Sequence, residues 1–201
     1  VNALGDKITV QESDWNCVLM ATANSKNKPF DDVRVRQALT LAVDRYSASK
    51  YLSNIAIVKT VGGIVFPGHP LAANQAEMEQ LIGYSKDIEA SRAKARQLLK
   101  DAGVPEGFKF IFNNRGVDQP YKVVGTWLVD QWRKVGLDPQ QTVKPSPQFY
   151  ATLRKKYDFD VSIDFNCQSV INPIADVSKF LCSAGNNYSQ CDNQEIEDLY
   201  D

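Results

Sequence analysis

Between Phe108 and Phe165 the chain alternates short strand-like runs with longer helix-like ones, and this rhythm narrows the possible folds more than any other feature. Phe108–Phe112 (FKFIF) sets aromatics and isoleucine at the spacing of a half-buried to buried strand. Asp118-Gln119-Pro120 opens a helix in which Tyr121, Val124, Leu128, Trp132 and Val135 recur every three or four residues, and Gly136 ends it. Leu137–Val143 reads as the next strand and Pro147–Lys156 as a helix. Phe159–Phe165 (FDVSIDF) reads as a strand of alternating apolar and polar side chains. That order predicts an α/β (α+β) domain in which helices flank a mixed β-sheet.

The first half is expected to be more helical. Asp31 or Asp32 caps a helix whose Val35, Ala38, Leu39, Ala42 and Val43 form one apolar stripe, with arginines on the other faces. A second long helix starts between Asp87 and Ser91, buries Ile88, Ala95, Leu98, Leu99 and Ala102, and stops at Gly103. Its Arg92, Lys94, Arg96 and Lys100 read as a solvated face. Thr60–Ala73, rich in Gly and Pro, reads as irregular. Ile8–Gln11 and Cys17–Thr22 are β-like.

Charge excludes some partners. Lys+Arg 23 against Asp+Glu 24 leaves a net charge of −1, so no positive field exists to hold a nucleic-acid backbone or an anionic membrane surface. No run approaches the roughly 18 to 20 apolar residues that span a bilayer. Val1 follows no basic-then-apolar leader, so a signal peptide is not in this chain. Asn193–Asp201 opens as an amphipathic helix that lacks a C-cap, and residues 1–201 therefore read as an excised piece of something larger.

Catalytic chemistry finds little support. The lone histidine, His69, sits between Gly68 and Pro70 and reads as a loop residue, which leaves neither a metal site nor a Ser-His or Cys-His pair. Gly62-Gly63 lacks the spacing of a phosphate loop. Asp31/Asp32 suit a helix N-terminus. Asp160 and Asp164, with Asp158 nearby, keep open an α/β hydrolytic enzyme using acidic residues, although their alternation with Val161, Ile163 and Phe165 puts them by default on a solvated polar face. No cofactor is expected.

Four cysteines stand at 17, 167, 182 and 191. Cys182 and Cys191 bracket a polar loop of the kind a local disulfide would close, which would be worth about 2 to 3 kcal/mol, with two reduced thiols as the alternative. The side chains best suited to recognition are Asn166, Cys167, Gln168 and Ser169, at a strand end where α/β proteins place ligands. Trp15 and Asn16 add an aromatic platform and an amide, unless Trp15 is core.

Asn24–Arg45 (NSKNKPFDDVRVRQALTLAVDR) closely resembles the signature of the extracellular solute-binding proteins of ABC importers, family 5, the peptide, nickel and oligopeptide type. Further likenesses follow in order: ARQLLKDAGVPEGF, the helix from Trp127 to Gly136 ending W-x-x-V-G, Phe159-Asp160, and Asn187-Tyr188 with Asn193, Ile196 and Leu199. The resemblance covers residues 8–201 and implies one lobe of a periplasmic-binding-protein-like type II fold, the C-terminal lobe of a longer receptor. It implies a monomer, periplasmic or lipid-anchored at the cell surface and peripheral to the membrane, that binds a peptide or other small-molecule solute between two lobes and delivers it to ABC permease subunits. Peptide-binding members carry Trp-Cys-x-Asp where this chain has Asn166-Cys167-Gln168-Ser169, and the aspartate there pairs with a peptide's amino terminus. Ser169 cannot supply that charge-assisted bond. This departure implies a neutral or differently charged solute, or a peptide held by another residue.

Overall fold

Strand β2 (Phe108–Arg115) lies inside a four-stranded sheet of order β1-β4-β2-β3. It runs parallel to β3 (Leu137–Lys144) on one side and to β4 (Val161–Cys167) on the other, while β1 (Cys17–Ala23) pairs antiparallel with β4. The mixed sheet expected from the alternation is therefore present. The computed structural model describes residues 5–9, 11, 17–55, 60–65, 67–167 and 172–200. The described helices are α1 (Val33–Leu41), α2 (Arg45–Leu52), α3 (Gln75–Gln80), α4 (Ile88–Asp101), α5 (Val123–Arg133), α6 (Ser146–Ala151), α7 (Pro173–Val177) and α8 (Gln194–Tyr200).

One face of the sheet is apolar. Phe110 and Phe112 point to α5, where their rings meet Trp132 edge-on at 5.7 and 5.0 Å, and Phe30 closes on Phe110 at 5.4 Å. Each such pair adds about 0.5–1.5 kcal/mol beyond burial. Trp132 is fully buried, and its indole N–H donates to Leu39 O at 3.2 Å, which ties α5 to α1. The other face is polar. Asn113 and Ser162, paired across β2 and β4, are fully buried and hydrogen-bonded at 3.0 Å. Phe149 and Leu153, from α6 and the wide turn Thr152–Lys156 after it, supply the apolar part of that cover.

The Asn24–Arg45 segment works as architecture. Asp32 caps α1 by accepting from Arg34 N at 2.8 Å, and Asp44 caps α2 by accepting from Ser47 N at 3.0 Å. Arg45 donates to Gly83 O and Thr40 O and lies 4.5 Å over the Tyr84 ring. Gly83 sits at φ +86 against Thr40 O, where a Cβ would come within 2.8 Å. Buried Asn24 donates to the carbonyls of Tyr157 and Phe159, fixing the chain just before β4.

Several expectations are corrected. Arg92 is not on a solvated face: it is buried and donates to Gln131 Oε1 at 2.8 Å and to Ala42 O, because α4 packs on α1 with this side inward. Ile8, Thr9 and Gln11 lie in no strand, and Val10 is outside the described residues. The last strand begins at Val161, since the Asp160 carboxylate is taken by Ile111 N and the Asn27 amide. The disulfide joins Cys17 to Cys167, not Cys182 to Cys191. Antiparallel register sets Cys17 directly opposite Cys167, whereas the Cys182 sulfur instead accepts from Asn193 N and Cys191 is a free thiol. Thr60–Ala73 contains no helix or strand among its described residues, as expected.

Two measurements check this packing. A Cβ on Gly125, inside α5, would lie 1.9 Å from Asn114 Nδ2. Gly125→Ala therefore lowers the urea midpoint by the equivalent of about 1–3 kcal/mol, although alanine favours an isolated helix by ~1 kcal/mol. Alkylation of denatured, unreduced protein labels Cys182 and Cys191, and Cys17 and Cys167 become reactive only after reduction.

Candidate functional site

The parallel strands β2, β3 and β4 end side by side, and their carboxyl ends are where ligands settle in open α/β sheets. Arg115 closes β2, Lys144 closes β3, and Asn166 and the disulfide-bonded Cys167 close β4. By the two-residue period of a strand, Arg115, Lys144 and Asn166 belong to the same polar face as Asn113 and Ser162.

Aromatic rings hold the guanidinium groups there. Arg115 lies 5.0 Å from the Tyr121 ring centroid and 5.2 Å from that of Tyr150, and it donates to Ser146 Oγ at 2.9 Å and to Tyr121 Oη at 3.2 Å. Arg154 lies 4.9 Å from the Tyr150 ring centroid and donates to Tyr188 Oη at 3.1 Å. Neither arginine makes an ion pair among the described residues. Two half-paired cations stacked on tyrosines suit a carboxylate or another planar anion, which a guanidinium meets with two parallel N–H bonds.

Beneath them lies a buried ion pair. Lys179 Nζ stands 2.7 Å from Asp164 Oδ2, with side chains 8% and 4% exposed. The solvated position expected for Asp164 is thus corrected: α7 and the residues after it cover this face and bring Lys179 down onto the strand. Burial pushes the Asp164 carboxyl above its usual range, and the Lys179 charge opposes that shift. Asp160 is also engaged, accepting from Ile111 N at 2.7 Å. Both carboxylates of the hydrolytic alternative are therefore occupied in holding the fold.

Asn166 is mostly buried and donates its amide to Asp176 O at 3.0 Å. Cys167 is spent in the bridge to Cys17. Trp15, Asn16, Gln168 and Ser169 lie outside the described residues. Sequence reasoning passed over Arg115, Tyr150, Arg154 and Tyr188; the available signal was a pair of arginines following strand and helix patterns that end near tyrosines. A cavity of about 830 Å³ runs along β1, lined by Leu19, Leu39, Val124, Trp127 and Leu128 among others, and reaches Lys179, Asn186 and Tyr188. Among the described residues no group of His, Cys, Asp and Glu is placed to hold a metal ion.

Comparison with known proteins follows the same lines. The sequence pattern of the bacterial extracellular solute-binding proteins, family 5 Middle, matches residues 2–188. The di/tripeptide-binding protein 1 of Pseudomonas aeruginosa (strain UCBPP-PA14) is 34% identical over 118 residues, 57% of this chain and 20% of that protein. The dipeptide-binding protein of Escherichia coli (strain K12) is 27% identical over 186 residues, 88% of this chain and 32% of that protein. The matches thus span a fifth to a third of these relatives. The solved OppA of Burkholderia pseudomallei superimposes with a TM-score of 0.80 at 16% identity, covering 93% of this chain and 36% of that one, which speaks to the fold.

The ion pair makes its own prediction. Lys179→Met strands a carboxylate in the interior and destabilises the protein by about 3–5 kcal/mol at pH 7, whereas Asp164→Leu with Lys179→Met recovers most of the loss. An acid whose folded pKa lies above its unfolded value binds more protons when folded, so stability falls as pH rises through that range. The Lys179→Met deficit in urea unfolding therefore shrinks as the pH is lowered from 7 toward 4.

Proposed function

Because the chain belongs to the bacterial extracellular solute-binding proteins of family 5, we propose that it is the C-terminal lobe of a two-lobed receptor serving an ABC importer. In this reading it takes a small solute with a carboxylate, a peptide or a peptide-like acid, in the cleft between lobes. The observation that carries the reading is the pair of guanidinium groups, Arg115 and Arg154, stacked on Tyr121 and Tyr150 beside the strand ends and making no ion pair among the described residues. The relatives named for dipeptides and di/tripeptides support a ligand of that class.

The Cys17–Cys167 bridge marks the end of the sheet, and in sequence it is flanked by Trp15-Asn16 and Gln168-Ser169. These four, with Asn166 beside the bridge, are the cleft wall in this proposal. Ser169 offers a hydroxyl where an anchoring carboxylate would bind a free ammonium, so the solute's acidic end is its main handle.

Binding a solute between two lobes stabilises the closed arrangement by the difference in affinity for open and closed forms, and the permease reads that arrangement. The receptor works as a monomer, in the periplasm or tethered by lipid to the cell surface, without catalysis or cofactor. In the receptor containing this lobe, Arg115→Ala weakens a dipeptide by about 10- to 100-fold, the 1.5–3 kcal/mol of a hydrogen bond to a charged group, and leaves the C-terminal amide of the same dipeptide nearly unaffected. Titration calorimetry reads the two affinities; an equal loss for acid and amide would remove the carboxylate from the proposal. Small-angle scattering of the wild-type receptor should show a smaller radius with dipeptide bound.

A further inference from the structure

The Lys179–Asp164 pair is buried yet lies directly under the surface just assigned to the solute. Three contacts spread from the lysine. Its ammonium faces Asp164 at 2.7 Å, donates to Asn186 O at 3.2 Å, and stands 4.3 Å from the centroid of the Tyr188 ring. The first anchors it to β4, and the other two hold the segment that carries Tyr188. That tyrosine is itself buried, and its hydroxyl accepts from Arg154 Nε.

We infer that Lys179 is a positioning residue for the solute site, setting Tyr188 and through it the guanidinium of Arg154, an inference that rests on the carboxylate-binding role proposed above. Arg154 needs such help. It is exposed, it follows α6 in the wide turn Thr152–Lys156, and an arginine side chain free to sample its rotamers loses entropy when a ligand arrests it. A hydrogen bond from Nε and the Tyr150 ring 4.9 Å away remove part of that freedom beforehand, and this bond leaves the two terminal guanidinium nitrogens unused.

Other ties on the same segment act elsewhere. Asn187 donates to Leu181 O and Cys191 O, Ser25 N donates to Ser189 O, and Gln190 donates to Asn24 Oδ1. These close the loop and fix its ends. Among the described residues the Tyr188 ring makes its cation contact with Lys179 alone. A buried pair can be replaced by apolar residues without loss of stability, so a role in stability alone predicts that such a replacement leaves binding intact.

The test uses the receptor containing this lobe. Asp164→Leu with Lys179→Met keeps the interior neutral and folded while removing the pin. Tyr188→Phe keeps the ion pair and removes only the oxygen that accepts from Arg154. Calorimetry with a dipeptide and its C-terminal amide gives a preference for the acid, and a crystal structure of the double variant gives the place of Arg154. Each variant should lower the acid-over-amide preference by about tenfold, or ~1.4 kcal/mol. The two changes combined should lower it no further, as expected of residues acting in series. Wild-type preference in the folded double variant, or Arg154 unmoved against Tyr188 in its crystal structure, overturns the inference. If the wild-type receptor does not distinguish acid from amide, the carboxylate reading fails by itself, and the position of Arg154 in the double variant decides the positioning role alone.

Discussion

Successive side chains of a strand leave on opposite faces, and in β2 this constraint divides the whole molecule. Phe110 and Phe112 go to the helices, where Trp132 and Phe30 receive them. Asn113 and Arg115, one residue out of phase, go to the other side. A slip of one residue would send phenylalanines into a polar layer and an arginine into the core, so register is enforced twice over. Asp160 adds a local lock by accepting the Ile111 amide at the edge where β4 begins.

The polar face that results is an unusual interior. Ser162 and Asn113 hydrogen-bond there, and Asp164 and Lys179 neutralise one another at low exposure. Charges in such surroundings are poor sources of net stability, since desolvation offsets most of their attraction. They are good at permitting few arrangements, because every alternative leaves a charge unmatched. The same layer leads outward to Arg115 and Arg154 on their tyrosines, so order established inside passes to side chains at the surface.

Local rules made much of the fold legible. Asp32 and Asp87 are each followed by the helices they cap, and the three- and four-residue spacing through Trp132 located α5. The Asn24–Arg45 signature pointed to the family, and its residues hold corners of the fold, while Leu39, Thr40 and Arg45 also line the cavity beside β1. What was not legible depends on contacts distant in sequence. Arg92 looks solvated until Gln131 and Ala42 are brought to it. Asp164 looks solvated until Lys179 lies on it. Nearness in sequence favoured Cys182 with Cys191, while strand register paired Cys17 with Cys167 across 150 residues. Arg115 and Arg154 drew no attention in the sequence because they, Tyr150 and Tyr188 converge only in three dimensions.

The pairing of β1 with β4 also sets a timetable. At roughly 5–20 residues per second, the ribosome takes on the order of 10 to 30 s to make the stretch separating them. During that interval CVLMATA, a run of low charge and high β-propensity, has both of its edges unmet. The nascent chain must therefore keep β1 from a wrong partner until β4 has been made, and this pairing joins segments made far apart in time.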